Sequence, residues 1–249
     1  MRLNNKSLVT VFSAAMLGLC SMNASAVMID NFGPENGSVS ANVGEWKTLI
    51  LDAAAGGEIL GGERDIAASA YGSGPLSISG DIDSGRLSVQ HSGSQSSSGY
   101  VTIDYDGNDN TSNTDLNNQF DLSAGGADRF LINVLDVTGN LKIELLVDDI
   151  LGQGYEYTIS SIATAGVKQV LFSDMAPLNG GLDWSKVGRI NLTVNGATED
   201  SYIGIDYFCT GSQAAGAAAS CTSSNNNVPE PATLTLLAVG LLGLRRRFA

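Results

Sequence analysis

The sequence predicts an antiparallel β-sandwich of the jelly-roll kind, flanked by an N-terminal signal peptide and a short C-terminal hydrophobic helix. Apolar and polar residues alternate with period two through the centre of the 249-residue chain. Glycine, asparagine, aspartate and serine interrupt the alternation at short intervals, and both chain ends are apolar. The predicted boundaries are 1–26 for the signal, 27–208 for the sandwich, 209–227 for a flexible linker and 228–249 for the tail.

The first 26 residues have the three parts of a secretory signal peptide. Two basic residues open the chain, an apolar run extends from Leu8 to Cys20, and a run of small residues ends at Ala26. The apolar run is shorter than the roughly 20 residues of a spanning helix, which favours a cleaved signal over a retained anchor. With Ala24 and Ala26 at the small-residue positions, we expect signal peptidase to release a mature chain that begins at Val27.

The middle of the chain contains about eleven short segments with the periodicity of half-buried strands. They are 46–51, 66–71, 76–79, 86–91, 100–105, 129–137, 141–147, 155–162, 167–172, 189–194 and 202–208. No long stretch between the two ends has helical periodicity. Many short strands separated by turn residues are typical of antiparallel sandwiches.

The charge of the chain excludes several classes of partner. The net charge is −13, and five of the 13 basic residues lie in the two ends, as does one of the 26 acidic residues, Glu230. The part between the ends therefore carries 8 basic and 25 acidic residues, a net charge of −17. Such a surface repels nucleic acid and anionic lipid, and it attracts divalent cations.

Two cysteines, Cys209 and Cys221, remain after removal of the signal. An even pair in an exported protein is most simply a disulfide, which would stabilise the fold by about 3 kcal/mol through the entropy of loop closure. The residues between the two cysteines are almost all small, so we expect both cysteines to lie in a flexible stretch. Their spacing is not that of a Cys-x-x-Cys motif, which disfavours a redox or metal role.

Residues for catalysis are scarce. His91 is the only histidine, and its serine-, glycine- and glutamine-rich surroundings predict a solvated turn. The chain has no Gly-x-Ser-x-Gly elbow, and too few histidines and cysteines for a zinc site. Three acidic pairs keep a glycoside hydrolase as the alternative function, since that reaction needs two carboxyl groups facing one sugar. The pairs are Asp81 with Asp83, Asp148 with Asp149, and Glu199 with Asp200; as strand-end charges they also discourage aggregation between sheets.

A possible calcium site is the sharpest local pattern in the chain. Asp104, Asp106, Asn108 and Asn110 place an oxygen-bearing side chain at every second position around Gly107. This resembles the first half of a calcium loop, although the closing glutamate is missing. Two interpretations stay open, a plain polar turn and a structural Ca²⁺ site with Asp104, Asp106 and Asn108 as ligands.

The C-terminal tail has three parts. They are the string Val228, Pro229, Glu230 and Pro231, the apolar segment 232–244, and the cluster Arg245, Arg246 and Arg247. The prolines hold an extended segment ahead of the apolar run, and the arginines stay on the cytoplasmic side of a membrane. A 13-residue helix covers only about 20 Å of a bilayer core roughly 30 Å thick. The tail therefore suits a transient membrane anchor.

These three parts, in this order at the C-terminus, resemble the PEP-CTERM sorting signal. That family implies export from a Gram-negative bacterium that makes exopolysaccharide, recognition of the tail by the membrane protease exosortase, and cleavage near the motif. The chain would then reach the outer surface or the extracellular matrix.

The central region resembles, more loosely, the galactose-binding-like jelly rolls that include many carbohydrate-binding modules. Three features carry this resemblance: 61–65 leading into an early strand, 105–107 ending a middle strand, and Asp183 with Trp184 ahead of a late strand. The resemblance supports the fold more than any ligand.

The aromatic side chains of Trp46, Tyr71, Trp184 and Tyr207 are candidates for stacking on sugars, with burial in the core as the alternative for each. The expected function is that of a non-catalytic surface or matrix component whose sandwich binds a glycan or packs with its neighbours within an exopolysaccharide layer. A secreted glycan-active hydrolase and a coat protein without a ligand are the two rival hypotheses.

Overall fold

The computed structural model describes residues 26–52, 58–93, 97–107, 119–196, 200–212 and 221. Fourteen β-strands and three single 3₁₀ turns form this part of the chain. The strands are Met28–Asp30 (β1), Gly37–Asn42 (β2), Trp46–Asp52 (β3), Glu63–Gly72 (β4), Leu76–Asp83 (β5), Arg86–Gly93 (β6), Ser97–Tyr105 (β7), Arg129–Thr138 (β8), Leu141–Asp149 (β9), Gly154–Ile162 (β10), Gly166–Leu171 (β11), Ala176–Pro177 (β12), Val187–Gly196 (β13) and Ser201–Gly211 (β14). The 3₁₀ turns are Leu60–Gly62, Ala124–Gly126 and Phe172–Asp174.

The strands form two seven-stranded sheets packed face to face. Sheet I has the order β11-β8-β14-β6-β5-β2, with β1 paired to β14, and sheet II has the order β12-β10-β9-β13-β7-β4-β3. Every pairing between these strands is antiparallel. The predicted antiparallel sandwich is confirmed.

Each of the eleven predicted segments corresponds to a strand, and three further strands were not predicted. Strands β1 and β12 contain only three and two residues, too few to show a period. Strand β2 has the sequence GSVSAN, whose serine, glycine and asparagine are typical of a turn. It is a strand because it extends sheet I beyond β5 and buries Val39 and Ala41.

The core lies between the sheets and follows from the alternation in the sequence. Strand β9 shows this most clearly: Leu141, Ile143, Leu145 and Val147 are all 0–1% exposed, whereas the residues between them lie on the outer face. Each fully buried side chain of this kind contributes about 1.5–3 kcal/mol relative to its exposed state. Strand β9 is paired on both edges, with β10 and β13, and its apolar face packs in the core against residues of sheet I.

The prediction that Cys209 lies in a flexible linker is wrong. Cys209 is a fully buried residue of β14, which continues to Gly211, three residues past the predicted end of the sandwich. Cys209 forms a disulfide with Cys221, and the two Cα atoms are 6.2 Å apart. The bridge packs with Leu131 on the outer face of sheet I. Strand β14 continues past Phe208 because Cys209, Thr210 and Gly211 pair with Leu131, Phe130 and Arg129 of β8.

The prediction that His91 is a solvated turn residue is also wrong. His91 is fully buried in β6, on the same side of the strand as Leu87 and Val89. Its ring lies against Gly196, where an added Cβ atom would come 2.6 Å from the imidazole. The alternation of the strand outweighs the polar composition of its last residues.

The two predicted targeting segments lie outside the described residues, except for Ala26. Within the residues that the structure describes, no helix has the length and apolar character needed to cross a membrane.

Candidate functional site

Three aromatic side chains meet on the outer face of sheet II. Trp46 begins β3, Tyr71 lies near the end of β4, and Tyr100 lies in β7. The ring centroids of Trp46 and Tyr100 are 6.1 Å apart, and those of Tyr71 and Tyr100 are 6.3 Å apart. Trp46 and Tyr71 are 55% and 51% exposed. We call these three residues the aromatic cluster.

The register of the sheet explains why these rings meet. Ser69 of β4 lies opposite Trp46 on one side and opposite Tyr100 on the other. Strands β3 and β7 are therefore about 9.6 Å apart, two strand spacings. The small side chain of Ser69 leaves the space above β4 open, so the two rings reach each other across it.

A hydrogen-bonded group of polar side chains lies on the same outer face, towards the other end of the strands. We call Thr102, Asp104, Arg189, Asn191 and Thr193 the polar ladder. The Asn191 amide donates to Thr102 Oγ1 at 2.7 Å and to Asp104 Oδ1 at 2.8 Å. The Thr193 hydroxyl donates to Asn191 Oδ1 at 2.8 Å, and Arg189 Nε donates to Asp104 Oδ1 at 2.6 Å.

The polar ladder is fixed in place before any ligand arrives. Each member bonds to another member across β7 and β13, the two neighbouring strands that carry them, so little side-chain entropy is lost on binding. Thr102 follows Tyr100 by one outward position, about 7 Å, and Asp104 follows by about 14 Å. The outer face of sheet II thus combines an exposed aromatic end with an ordered polar middle.

Asp148 extends the polar ladder onto β9. Its Oδ2 lies 3.6 Å from Arg189 Nη1. Burial raises the pKa of Asp148 above its ordinary value of 3.8, Arg189 opposes this, and the charges of Asp104 and Asp149 add to the increase. Burial lowers the pKa of Arg189, but the hydrogen bond and charge of Asp104 outweigh burial and raise it overall. Arg189 is therefore a permanent cation between two carboxylates.

A groove of about 550 Å³ lies at one end of sheet I, where β2 ends and β5 begins. Its floor includes Asn42, Ser77 and Ser92, which lie opposite one another on β2, β5 and β6. The turn after β2 is held to sheet II, because Gly44 N donates to the Ala70 carbonyl at 2.9 Å. The groove thus opens beside the residues that lead into Trp46.

The structure separates the four predicted aromatic candidates. Trp46 and Tyr71 lie in the aromatic cluster, whereas Trp184 stacks on Phe172 with ring centroids 4.0 Å apart, at the edge of the core. Tyr207 packs beside the disulfide on sheet I. Tyr100 was missed as a candidate, although the alternation of Tyr100 with buried Val101 would have placed it on the outer face.

The predicted acidic pairs differ in their placement. Asp81 and Asp83 are both exposed and lie two residues apart on the outer face of β5. Asp149 lies on the opposite side of β9 from Asp148 and caps a turn, accepting hydrogen bonds from Leu151 N at 2.8 Å and Gln153 N at 2.9 Å. Glu199 lies outside the described residues. The carboxylates that do meet are those of Asp104 and Asp148, with Arg189 between them.

The candidate calcium ligands are only partly described. Asp104 accepts hydrogen bonds from Arg189 and Asn191, which directs its Oδ1 towards donors. Asp106 is buried just past β7, and Asn108 lies outside the described residues. Among the residues that the structure describes, no three or more His, Cys, Asp or Glu side chains are grouped to hold a metal ion.

The described part of the chain is thus an antiparallel β-sandwich with an exposed aromatic cluster and an ordered polar surface on one sheet. At the C-terminus, residues 227–247 match the family model described as the PEP-CTERM protein-sorting motif. This match confirms the resemblance predicted for the tail, and the motif implies an exported protein that passes through a membrane.

The sandwich is similar to carbohydrate-binding modules of known structure. One is the family 11 module of the cellulosomal cellulase Lic26A-Cel5E of Clostridium thermocellum, at 12% identity and a TM-score of 0.40, covering 76% of this chain and 96% of the module. A solution structure of CtCBM11 gives 12% identity and a TM-score of 0.43, covering 78% and 99%. The module CBM29-2, solved with mannohexaose, gives 14% identity and a TM-score of 0.33, covering 67% and 92%. No curated protein matches the sequence.

Proposed function

We propose that the protein is an exported, non-catalytic component of the cell surface or extracellular matrix that binds a neutral glycan on the outer face of sheet II. The observation that carries the binding is the aromatic cluster, in which two large rings stay about half exposed on a rigid sheet. The matched sorting motif at 227–247 carries the export.

The chemistry of the face suits a sugar chain. One side of a pyranose ring presents C–H groups, which pack against the π face of an aromatic ring, while its hydroxyls need donors and acceptors in fixed positions. The aromatic cluster supplies the rings, and the polar ladder supplies the donors and acceptors within about 14 Å along β7. The acidic surface repels polysaccharides rich in carboxylate or sulfate. A neutral glycan lying along β7 therefore fits best.

The binding is tested by titrating the exported protein with neutral hexaoses of the β-glucan, mannan and agarose types. Trp46→Ala and Tyr100→Ala are expected to weaken binding about tenfold or more, since loss of about 1.4 kcal/mol changes Kd by that factor. Leu151→Ala, which removes a side chain that is 75% exposed elsewhere, is the control and should bind normally. The proposal would be contradicted if the double variant Trp46→Ala/Tyr71→Ala bound the hexaoses with the same affinity as the unaltered protein.

A glycoside hydrolase is the second candidate, favoured by one observation. Asp148 has a raised pKa and shares Arg189 with Asp104, and a carboxyl group of raised pKa is what a general acid requires. Release of reducing sugar that disappears in both Asp148→Asn and Asp104→Asn would establish the enzyme. Binding without release of reducing sugar is the outcome that we expect. If the protein neither binds the saccharides nor releases reducing sugar, the hypothesis of a coat protein without a ligand is favoured.

For export we propose that signal peptidase removes residues 1–26 and that an exosortase recognises Val228 to Pro231. The apolar segment 232–244 would anchor the chain in the inner membrane until cleavage. The segment after Gly211 would act as the spacer that lets the protease reach the motif. The processed chain would then reach the outer surface of a Gram-negative bacterium that makes exopolysaccharide.

A structural calcium ion in the turn after β7 is a separate proposal. The ligands proposed are those of the sequence pattern, Asp104, Asp106 and Asn108. A ligand that binds only the folded state raises the melting temperature by mass action. Millimolar calcium should therefore raise the melting temperature of the unaltered protein and not that of Asp106→Asn. Equal melting curves in calcium and in chelator would leave the plain polar turn.

A further inference from the structure

A second pocket lies at the opposite end of the sandwich from the aromatic cluster. It has a volume of about 450 Å³ and opens between the start of β8, the end of β11 and the segment before β13. Tyr100 of the aromatic cluster lies opposite Asn195, near the end of β13. Trp184, in the wall of the pocket, precedes the first residue of the same strand, Val187. The eight residues from Val187 to Asn195 span about 27 Å, so the two places are separate.

One wall of the pocket is aromatic and rigid. Trp184 stacks on Phe172 with an interplanar angle of 7°, and both rings contact Phe130 edge-on at centroid distances of 6.1 and 5.0 Å. Tyr155 holds the indole from another side, at 6.0 Å. The indole therefore cannot turn away from the pocket when a ligand arrives.

The rim of the pocket is polar and equally well fixed. Arg129 Nε and Nη2 donate to the two carboxylate oxygens of Asp128 at 2.7 and 3.2 Å. Arg129 Nη1 donates to Gln169 Oε1 at 2.8 Å. Three of the five N–H groups of the guanidinium are thus engaged, and two are left for a ligand. Ser123 and Ser173 also line the pocket.

We propose that this pocket is a second carbohydrate site, which takes the terminal unit of a neutral saccharide chain. The aromatic wall suits the C–H face of a sugar ring, and the paired planar groups of Arg129 and Asp128 suit two neighbouring hydroxyls, one as acceptor and one as donor. Asp128 cancels the charge of Arg129, which favours a neutral unit over a uronic acid. The volume lies within the range of about 300–1,000 Å³ typical of small-ligand pockets.

The consequence is a domain with two different modes of binding at its two ends. The aromatic cluster, on the open outer face of sheet II, would take the interior of a chain, and the pocket would take a chain end. A domain of this kind can cross-link two polysaccharide chains, a property that the single site of the proposed function does not supply. The inference stands on its own residues and does not need the aromatic cluster to bind.

The two tryptophans of the chain, Trp46 and Trp184, make the two sites separately visible by NMR. The mature protein is titrated with cellotetraose, mannotetraose and neoagarotetraose while the two indole N–H signals are followed. We expect the Trp184 signal to shift with at least one of these saccharides. Ser173→Tyr, which adds a ring at the mouth of the pocket without touching the core, should weaken that titration at least tenfold and leave the Trp46 titration unchanged.

Matched controls keep the outcomes distinct. Ser40→Tyr, at an exposed position on the outer face of sheet I, should change neither titration. In Trp46→Ala the Trp184 signal should still shift, because the pocket is independent of the aromatic cluster. A Trp184 signal that stays fixed with all three saccharides, or one that shifts equally in Ser173→Tyr, would overturn the second site. A shift of Trp46 alone would overturn it and leave the proposed function intact.

Discussion

Arg64 and Asp30 form an ion pair in which neither side chain is exposed to solvent. Arg64 Nη1 lies 2.6 and 2.7 Å from the two carboxylate oxygens of Asp30, and Arg64 Nη2 donates to Glu35 Oε2 at 3.0 Å. The Tyr105 hydroxyl donates to Asp30 Oδ2 at 2.9 Å. Burial, followed by the charge of Asp30, raises the pKa of Tyr105 well above 10, so the phenol keeps its proton. The pair joins β1 to β4 and β7.

Arg64→Met is expected to lower the free energy of unfolding by about 3–5 kcal/mol, because it leaves the carboxylates of Asp30 and Glu35 buried without their cation. The measurement is urea unfolding at neutral pH. The double variant Arg64→Met/Asp30→Asn should be more stable than Arg64→Met, since it removes one of the uncompensated charges.

The control for this prediction is a pair of the same kind at the surface. Lys186 and Asp183 are 3.1 Å apart and both about half exposed, so Lys186→Met should cost less than about 1 kcal/mol. If the free energy of unfolding of Arg64→Met lies within about 1 kcal/mol of that of the unaltered protein, the buried pair contributes specificity without stability.

Cys221→Ser is expected to lower the free energy of unfolding by about 2–3 kcal/mol. The bridge closes a loop with a sequence separation of 12, and opening such a loop restores entropy to the unfolded chain. Cys221 is the residue to change, because Cys209 is completely buried in β14, where a serine hydroxyl would lose its contact with water, whereas Cys221 is 8% exposed. Free-thiol labelling of the unaltered protein checks the premise, and two reactive thiols per chain in the absence of reductant would refute it.

The strands were predictable because the alternation that defines each of them lies within a few consecutive residues. The polar ladder was not predictable, since its members come from distant parts of the sequence. Alternation in β9 or β13 can be read within ten residues. Thr102 and Thr193, whose side chains share a hydrogen bond of 2.9 Å, are 91 residues apart, and only the register of β7 against β13 brings them together.

The two tryptophans show the same limit. Both precede or begin a strand, and nothing in either neighbourhood shows that Phe172 covers Trp184 whereas Trp46 stays 55% exposed. Residue type predicts that an aromatic ring will be important, and only the packing around the ring decides how much of it the core covers.

Asp148→Asn is expected to change the pH dependence of stability. The pKa of Asp148 is raised in the folded state, so the contribution of this group to stability is complete below about pH 4 and is lost as the pH rises through the folded-state pKa. The neutral asparagine has no such loss. From pH 4 to pH 7 the variant should therefore gain stability relative to the unaltered protein, because only the unaltered protein loses the contribution of the protonated Asp148 carboxyl.

Asp183→Asn is the control with the opposite sign. The hydrogen bond from the Ser185 hydroxyl, together with Lys186, lowers the pKa of Asp183, so its contribution is present at neutral pH and is lost as the pH falls. Asp183→Asn should therefore follow the unaltered protein closely from pH 7 down to about pH 4 and should lose less stability than the unaltered protein as the pH falls further, through the lowered pKa of Asp183. Urea unfolding at several pH values measures both variants. If the free energies of unfolding of Asp148→Asn and of the unaltered protein change in parallel with pH, the raised pKa of Asp148 is contradicted.

Changes in the sorting motif are expected to block processing while the sandwich stays folded. Glu230→Gln alters the centre of the recognised string, and replacing Arg245 to Arg247 by alanine removes the charges that hold the tail at the cytoplasmic side. Each variant should accumulate as a longer, cell-retained form. The last strand, β14, ends at Gly211, well before the motif, so the melting temperature of the purified sandwich should not change. Mass spectrometry of surface material from the native host checks the premise. An unaltered protein whose surface form still ends at Ala249 would contradict sorting by cleavage and leave an ordinary tail anchor in its place.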